Sequence, residues 1–447
     1  MSSVNAPPPL APRLARELCD PRTIAALRSP ATVAKARLAL TDVLGCAAEA
    51  RTLPAAQAAL AQALSGSGPC TVIAGAGKVH AQGAAFANAV AAHALVREDM
   101  HAGAVSHFGV VVWPALLAAA EQGAHGGARL LDAAILGYQL GARIGRMMVD
   151  PVFTHRFRPT GFTGPLAATA AISHLIGLDE GQTASALALA ANCASGLNEW
   201  PKEGADDMVC HAGTAAATAV RCSTLAAAGA YGASTALDGL LAGFSALQVA
   251  KGDLLGGDPE ILDVYFKALP VCNFAQTACQ AALQIVRQSP ALDPNGIVAV
   301  TVRTSAAARS YPGCDAHGPF ERELQAKMSI QYGVAAALAA GRLSQASFDR
   351  LDDPLVARLA QATTIVEDAG FTATFPARQG AAVMVTLRDG AQIAAELQDV
   401  AAATPDEVRT RSHAALAQWR GIAMADAMLN QVGTIETSPA VGALFEG

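Results

Sequence analysis

The sequence predicts a mainly α protein: a large all-helical domain built from both chain ends, with a smaller α+β domain inserted before the C-terminal helices. Three observations carry this. From about Ser29 to Gly243, alanine-dominated segments bounded by capping residues follow one another. After about residue 265 the texture turns to alternating stretches of strand character. At Thr404 it turns back to helix. The expected division is therefore 1–265 and 404–447 for the helical domain and 266–403 for the α+β domain, with a ligand crevice between them.

In chain order, residues 1–12 read as a disordered lead-in. Ser29 followed by Pro30 reads as an N-cap with proline at the first helical position. Cys70–Gly75 (CTVIAG) is the one strand-like patch of this half. Phe108–Ala120 is the longest apolar run; its 13 residues include Pro114 and are too few to span a bilayer. Asp179 with Gln182 three residues on forms a capping box that opens a helix through Cys193. Gly296–Thr304 (GIVAVTVRT) alternates like a half-buried strand. Glu321–Gly341 reads as helix. Ala381–Arg388 and Gln392–Val400 flank Asp389-Gly390, a hairpin turn signal. Thr404-Pro405-Asp406-Glu407 opens the final helix with another capping box.

Of the 447 residues, 52% are hydrophobic and only 15% charged, so the chain buries a large core and leaves few charges to cover its outside. Burial of part of that surface in a homodimer is expected. The net charge of −6 and the lack of a basic stripe with interleaved aromatics exclude an electrostatic nucleic-acid binder. The nine cysteines are scattered without a CxxC, as expected for reduced thiols in a cytoplasmic protein. The proline-rich N-terminus lacks the apolar core of a signal peptide, and no membrane association is expected.

Familiar catalytic signatures fail. AGAGK (Ala74–Lys78) is followed by Val79, so it is not a phosphate-binding loop. There is no GxGxxG fingerprint, no GxSxG elbow and no HExxH. His101 and His107 sit six apart without further partners, and no metal site is expected. What remains are four polar clusters bounded by apolar helices. They are His93–Gly109 (HALVREDMHAGAVSHFG), His155–Gly161, Asp206–Gly213 and Lys267–Asn273. Each alone reads as a solvated loop. Four so placed suggest convergence on one pocket, since charges are costly to bury unpaired.

These residues resemble the MmgE/PrpD family, which includes 2-methylcitrate dehydratases, cis-aconitate decarboxylases and iminodisuccinate epimerases. The stretch from Gly68 to Leu95 resembles G-P-x-T-V-x-G followed by A-A-F-x-N-G-x-A-A-H-A-L. Gly137–Met148 resembles G-Y-E-V-x-x-R-I-G-R, and Arg158–Leu197 resembles H-P-T with its alanine-rich helix. HAGTAAATAV resembles H-x-G-x-A-A-x-x-G-V, and Leu324–Phe348 resembles A-K-F-S-x-x-Y. The resemblance implies a large helical domain, a smaller α+β domain, a homodimer, no cofactor, and proton removal or delivery beside a carboxylate of a small polycarboxylate.

Departures from the family pattern are as informative. Against H-A-L-D-F-D-D-T-H the chain reads His93-Ala94-Leu95-Val96-Arg97-Glu98-Asp99-Met100-His101, so an aspartate has become Val96 and a threonine Met100. The histidine of H-P-T is Arg158, and the lysine of K-x-x-H-x-G falls at Met208. Lys267, Pro270 and Cys272 keep the next junction, where Leu269 replaces an aromatic. On this basis His107, Lys267 and Asp99 are the expected catalytic residues. His107 serves as base or acid, Lys267 as carboxylate anchor or second proton carrier, and Asp99 as the group orienting His107 or His101. Arg158 (a bidentate clamp), His211, His101 and Thr160 are the expected substrate-binding residues. Epimerisation needs only two proton carriers and a clamp. The expectation is therefore a cofactor-independent isomerase or epimerase acting on a small carboxylic acid. A lyase of the dehydratase or decarboxylase type and a degenerate ligand-binding homologue are the alternatives.

Overall fold

Small residues at helix contacts let backbones approach closely, and the first half of the chain is built on that. The computed structural model describes residues 8–73, 75, 77–244 and 253–445. Helices Pro30–Ala50, Ala81–His93, Gly109–Gly123, Gly127–Met148, Pro159–Ile176 and Asp207–Ala227 pack on one another around one continuous core. The Gly127 and Pro159 helices meet through glycine. A Cβ on Gly141 would stand 2.5 Å from the Phe108 ring and 2.7 Å from Ala167 Cβ, closer than packed carbons allow. The long helices start where the sequence predicts. Ser29 Oγ accepts from Thr32 N–H (3.1 Å), Asp179 Oδ1 from Gln182 N–H (2.8 Å) and Thr404 Oγ1 from Glu407 N–H (3.2 Å).

In the later half, the sheet has strand order Thr363–Glu367, Ile297–Thr304, Ala381–Leu387, Gln392–Leu397. The first pair is parallel and the others antiparallel. Gly390 takes φ +84° in the expected hairpin, a conformation that favours glycine. Helix Gln276–Gln288 packs on the hairpin strands and on helix Ile330–Ala340. Helix Pro405–Arg420 returns to lie on the Pro30 helix, where Arg411 pairs with the buried Asp42 at 2.7 Å.

Several sequence expectations are corrected. The lead-in is not unstructured throughout: Leu10–Cys19 is helical, with Leu10, Leu14 and Leu18 buried one turn apart, and residues 1–7 lie outside the described residues. Of CTVIAG only Cys70–Thr71 pairs, with Lys78–Val79; positions 74 and 76 of this loop lie outside the described residues. The 321–341 helix is two helices, Glu323–Met328 and Ile330–Ala340. Ser329 breaks the run because its hydroxyl accepts from Tyr332 N–H and caps the second helix (3.0 Å). Strand Thr363–Glu367 escaped sequence reading, since its partner lies some 60 residues earlier and only Thr363 and Ile365 are buried. Among the described residues no helix is long and apolar enough to cross a membrane.

Candidate active site

A three-residue ladder assembles the centre. Strand Asp99–His101 pairs antiparallel with Val264–Phe266, and Asp99 stands opposite Phe266. The next residues outward, Glu98 and Lys267, are thereby brought face to face. Lys267 Nζ donates to Glu98 Oε1 at 2.7 Å, and both side chains are fully buried. His107 Nδ1 lies 3.1 Å and His93 Nδ1 3.2 Å from the same carboxylate oxygen. Burial alone would push the Glu98 carboxyl up, but Lys267, His93 and His107 together hold it well below the usual carboxylate range. Burial, reinforced by the Lys267 charge, pushes His107 well below its ordinary value; burial likewise lowers His93. Both imidazoles are therefore neutral at pH 7.

His107 is held from three sides. Its Nδ1 lies 2.8 Å from the carbonyl oxygen of Asp99, which can only accept, so Nδ1 carries the proton and Nε2 is left as the free base. Its backbone N–H donates to Thr160 Oγ1 at 3.2 Å. Arg158 enters from the N-terminus of the Pro159 helix. Its N–H donates to Gly196 O (3.0 Å) while Ser195 N–H donates to Gly161 O (3.2 Å). Gly161 is required for this approach: a Cβ there would lie 2.1 Å from Ser195 O. The Arg158 side chain is 5% exposed, and Nη2 lies 3.2 Å from His93 Nε2. Among the described residues no carboxylate lies within ion-pair reach of it, and its Nε has no hydrogen-bond partner.

His107, Arg158 and Lys267 line one pocket with Cys272, Asn273 and Tyr311; the rest of the wall is apolar, including Val96, Met100, Met208 and Met328. Its free volume is about 20 Å³, room for roughly one water. Two wall residues, Val96 (φ 59°) and Val105 (φ 46°), are in the left-handed region. That conformation is strained for a β-branched side chain and is the kind of strain that clusters at functional sites.

The predicted residues are thus only partly brought together. His107, Lys267 and Arg158 converge, and Thr160 supports His107 from behind. Asp99 does not orient a histidine through its carboxylate. That group accepts from Tyr138 Oη (2.6 Å) and from Gly109 N–H, at the start of the Gly109 helix, and burial pushes its pKa up to about 7. His101 points away from the pocket. Its Nε2 meets Glu260 at 3.0 Å, in a network where Arg143 and Arg146 pair with Glu260 and Arg146 with Asp263. His101, Glu260 and Asp263 are close enough together to hold a cation, but the two guanidiniums already supply that charge. Alternation along the strand explains both corrections, since neighbouring side chains point to opposite faces. His211 stands beside Gly196 and is not a wall residue; burial and Arg158 lower it to about 4. Sequence reading passed over Glu98, His93, Trp200 and Tyr311. Glu98 and His93 carried a signal, since both belong to the same ionisable stretch as His107. Trp200 and Tyr311 reach the pocket only through tertiary packing.

Residues 22–253 match the MmgE/PrpD N-terminal domain and residues 269–414 the MmgE/PrpD C-terminal domain. The chain belongs to the MmgE/PrpD family. Among MmgE/PrpD relatives, it is 28% identical over 424 residues to the cis-aconitate decarboxylase-like protein oryM of Aspergillus oryzae, covering 85% of this chain and 84% of that one. It is 26% identical over 354 residues to the cis-aconitate decarboxylase of Aspergillus terreus, covering 72% of this chain and 70% of that one. With the 2-methylcitrate dehydratase of Salmonella typhimurium it shares 29% over 244 residues, about half of either chain (51% and 50%). These MmgE/PrpD relatives bear the names of lyases.

Proposed function

We propose that this protein is a cofactor-independent lyase that removes a proton from the carbon beside a carboxylate of a small carboxylic acid. The observation that carries the reading is Arg158: a guanidinium 5% exposed, without a carboxylate partner among the described residues, lining the same pocket as His107. A substrate carboxylate would supply the missing partner. His107, neutral at pH 7, takes the proton. Arg158 and Lys267 hold the charge that builds on the carboxylate. Lys267, whose Nζ lies 2.7 Å from Glu98 Oε1, then delivers a proton to the departing group.

The lyase outcome is supported by the names of the relatives. The isomerase outcome favoured by the residue pattern uses the same two proton carriers and differs in returning the proton to carbon. A second reading, a ligand-binding homologue without turnover, is favoured by the pocket's volume of about 20 Å³ and its Val96, Met100 and Met208 walls. Proton NMR in D₂O with 2-methylcitrate, citrate, cis-aconitate, iminodisuccinate and less polar hydroxy acids separates the three. Loss of water supports this lyase, loss of CO₂ would replace its proton-removal step with proton delivery to carbon, and deuterium uptake without loss supports the isomerase. Either must vanish in His107→Ala; activity that survives that substitution refutes the assigned base. No exchange with any acid favours the binding homologue.

The homodimer, the cytoplasmic location and the domain division at residues 265 and 404 belong to the same proposal. Exposed Val152, Leu197 and Ile422 are consistent with a covered surface. Light scattering of the purified chain reads the oligomeric state directly.

A further inference from the structure

Two thiols meet at the pocket, and the proposed proton transfer uses neither. Cys272 and Cys314 stand with their sulfurs 3.8 Å apart, across 42 residues of chain, and both are free. Cys272 lines the pocket and is 6% exposed; Cys314 is fully buried and is not a wall residue. One short stretch, at the break between the Glu323 and Ile330 helices, holds both backbones. Cys272 N–H donates to Lys327 O (2.8 Å), and Ile330 N–H donates to Cys314 O (3.0 Å). Cys314 N–H in turn donates to the carbonyl of the wall residue Tyr311 (3.1 Å). The contact between the sulfurs is therefore fixed by the backbone on both sides.

The two sulfurs differ in character. The thiolate is the nucleophile of cysteine chemistry. At Cys272 the hydrogen bond from Cys314, the Phe274 N–H and the charges of Lys267 and Arg158 outweigh burial and hold the thiol below its ordinary value. Burial pushes Cys314 well above its own, and raises Cys46, Cys70, Cys222 and Cys279 as well. A sulfur of thiolate character reached from a pocket, touching a second thiol, is the arrangement of a redox-sensitive cysteine with its resolving partner. The free volume of about 20 Å³ beside Cys272 shuts out bulky oxidants such as glutathione disulfide. Hydrogen peroxide, which presents one oxygen at a time to the sulfur, is the oxidant that suits it.

We propose that Cys272 is a peroxide-sensitive modification site in the pocket wall and that Cys314 resolves it to a disulfide. Cys272 Sγ attacks one oxygen of hydrogen peroxide. The O–O bond breaks, the sulfur becomes a sulfenic acid, and the other oxygen leaves as water with the thiol's proton. Cys314 Sγ then attacks the Cys272 sulfur. The S–O bond breaks, the S–S bond forms, and a second water leaves. Two thiols are oxidised and one peroxide is reduced. Bonded sulfurs stand about 2.0 Å apart, so the bond draws the Cys272 sulfur off the wall toward Cys314 and changes the pocket beside Lys267 and Arg158. The modification stands apart from the carboxylate reading and needs no substrate.

The test treats the reduced full-length protein with hydrogen peroxide, blocks the remaining thiols by alkylation and digests it without reductant. The expected result is a peptide pair joined through Cys272 and Cys314, a loss of two hydrogens from the intact mass, and recovery of the starting mass in dithiothreitol. Cys314→Ser should strand the sulfenic acid, so dimedone labels Cys272 in that variant and not in wild type. Cys272→Ser should form no disulfide and leave Cys314 unlabelled. Matching melting temperatures show that both variants fold; if either does not, the wild-type peptide map decides alone. The inference is overturned if Cys272 stays a free thiol in excess peroxide, if it joins a cysteine other than Cys314, or if dimedone labels it equally in wild type and Cys314→Ser.

Discussion

Removing Lys267 alone should destabilise the protein far more than removing Lys267 and Glu98 together. Both side chains are fully buried and 2.7 Å apart. Lys267→Met leaves the Glu98 carboxylate without its cation, facing two imidazoles that burial keeps neutral. Leaving a buried charge unpaired costs roughly 3–5 kcal/mol, whereas exchanging a buried pair for neutral groups of similar volume is often close to neutral. The double variant Glu98→Gln/Lys267→Met should therefore recover most of the loss, giving a coupling energy on the order of 2–4 kcal/mol. The assay is urea unfolding at pH 7, read as the shift in transition midpoint at constant slope. Acid offers an internal check. Without Lys267 the Glu98 carboxyl loses the largest influence lowering its pKa, so protonation becomes easy and the single variant's deficit should shrink as pH falls. A single variant within about 1 kcal/mol of wild type, or a double variant worse than either single, would refute the buried-pair argument.

Two further outcomes are expected. Asp99 has a folded pKa of about 7 against an ordinary 3.8, so the folded state holds its proton more tightly and stability is lost as pH rises between those values, by on the order of 4 kcal/mol at 1.36 kcal/mol per pH unit; Asp99→Asn should remove that part of the slope, seen as a flatter melting-temperature profile from pH 4 to 7. Gly161→Ala should cost about 1–3 kcal/mol, because its Cβ meets Ser195 O at 2.1 Å, and should also weaken carboxylate binding, because the same backbone contact holds Arg158; native stability with unchanged binding would refute the positioning role.

Much of the architecture was legible in the chain. Alanine-rich runs with Ser29, Asp179 and Thr404 at their starts fixed where helices begin, because a cap depends on side chain and backbone within one turn. The Asp389-Gly390 turn identified its hairpin for the same local reason. Glu321–Gly341 was read as one helix because Ser329 is neutral in a periodicity count and acts only through its bond to Tyr332 N–H. Strand Thr363–Glu367 gave no such local signal, since its stability comes from the partner strand Ile297–Thr304.

The candidate site divides along the same line. Sequence alone determined which segments supply the pocket's ionisable groups: His93–Gly109, Arg158 and Lys267 are ionisable groups set among apolar helices, and composition makes that visible. It also showed the loss of polarity at Val96, Met100 and Met208. Only the tertiary structure decided which carboxylate faces Lys267 and His107. Asp99 and Glu98 are adjacent, but the ladder placing Asp99 opposite Phe266 turns Glu98 toward Lys267 and His107 and sends the Asp99 carboxylate to Tyr138. A one-residue alternation across a strand is set by its partner, and the partner here lies some 165 residues away.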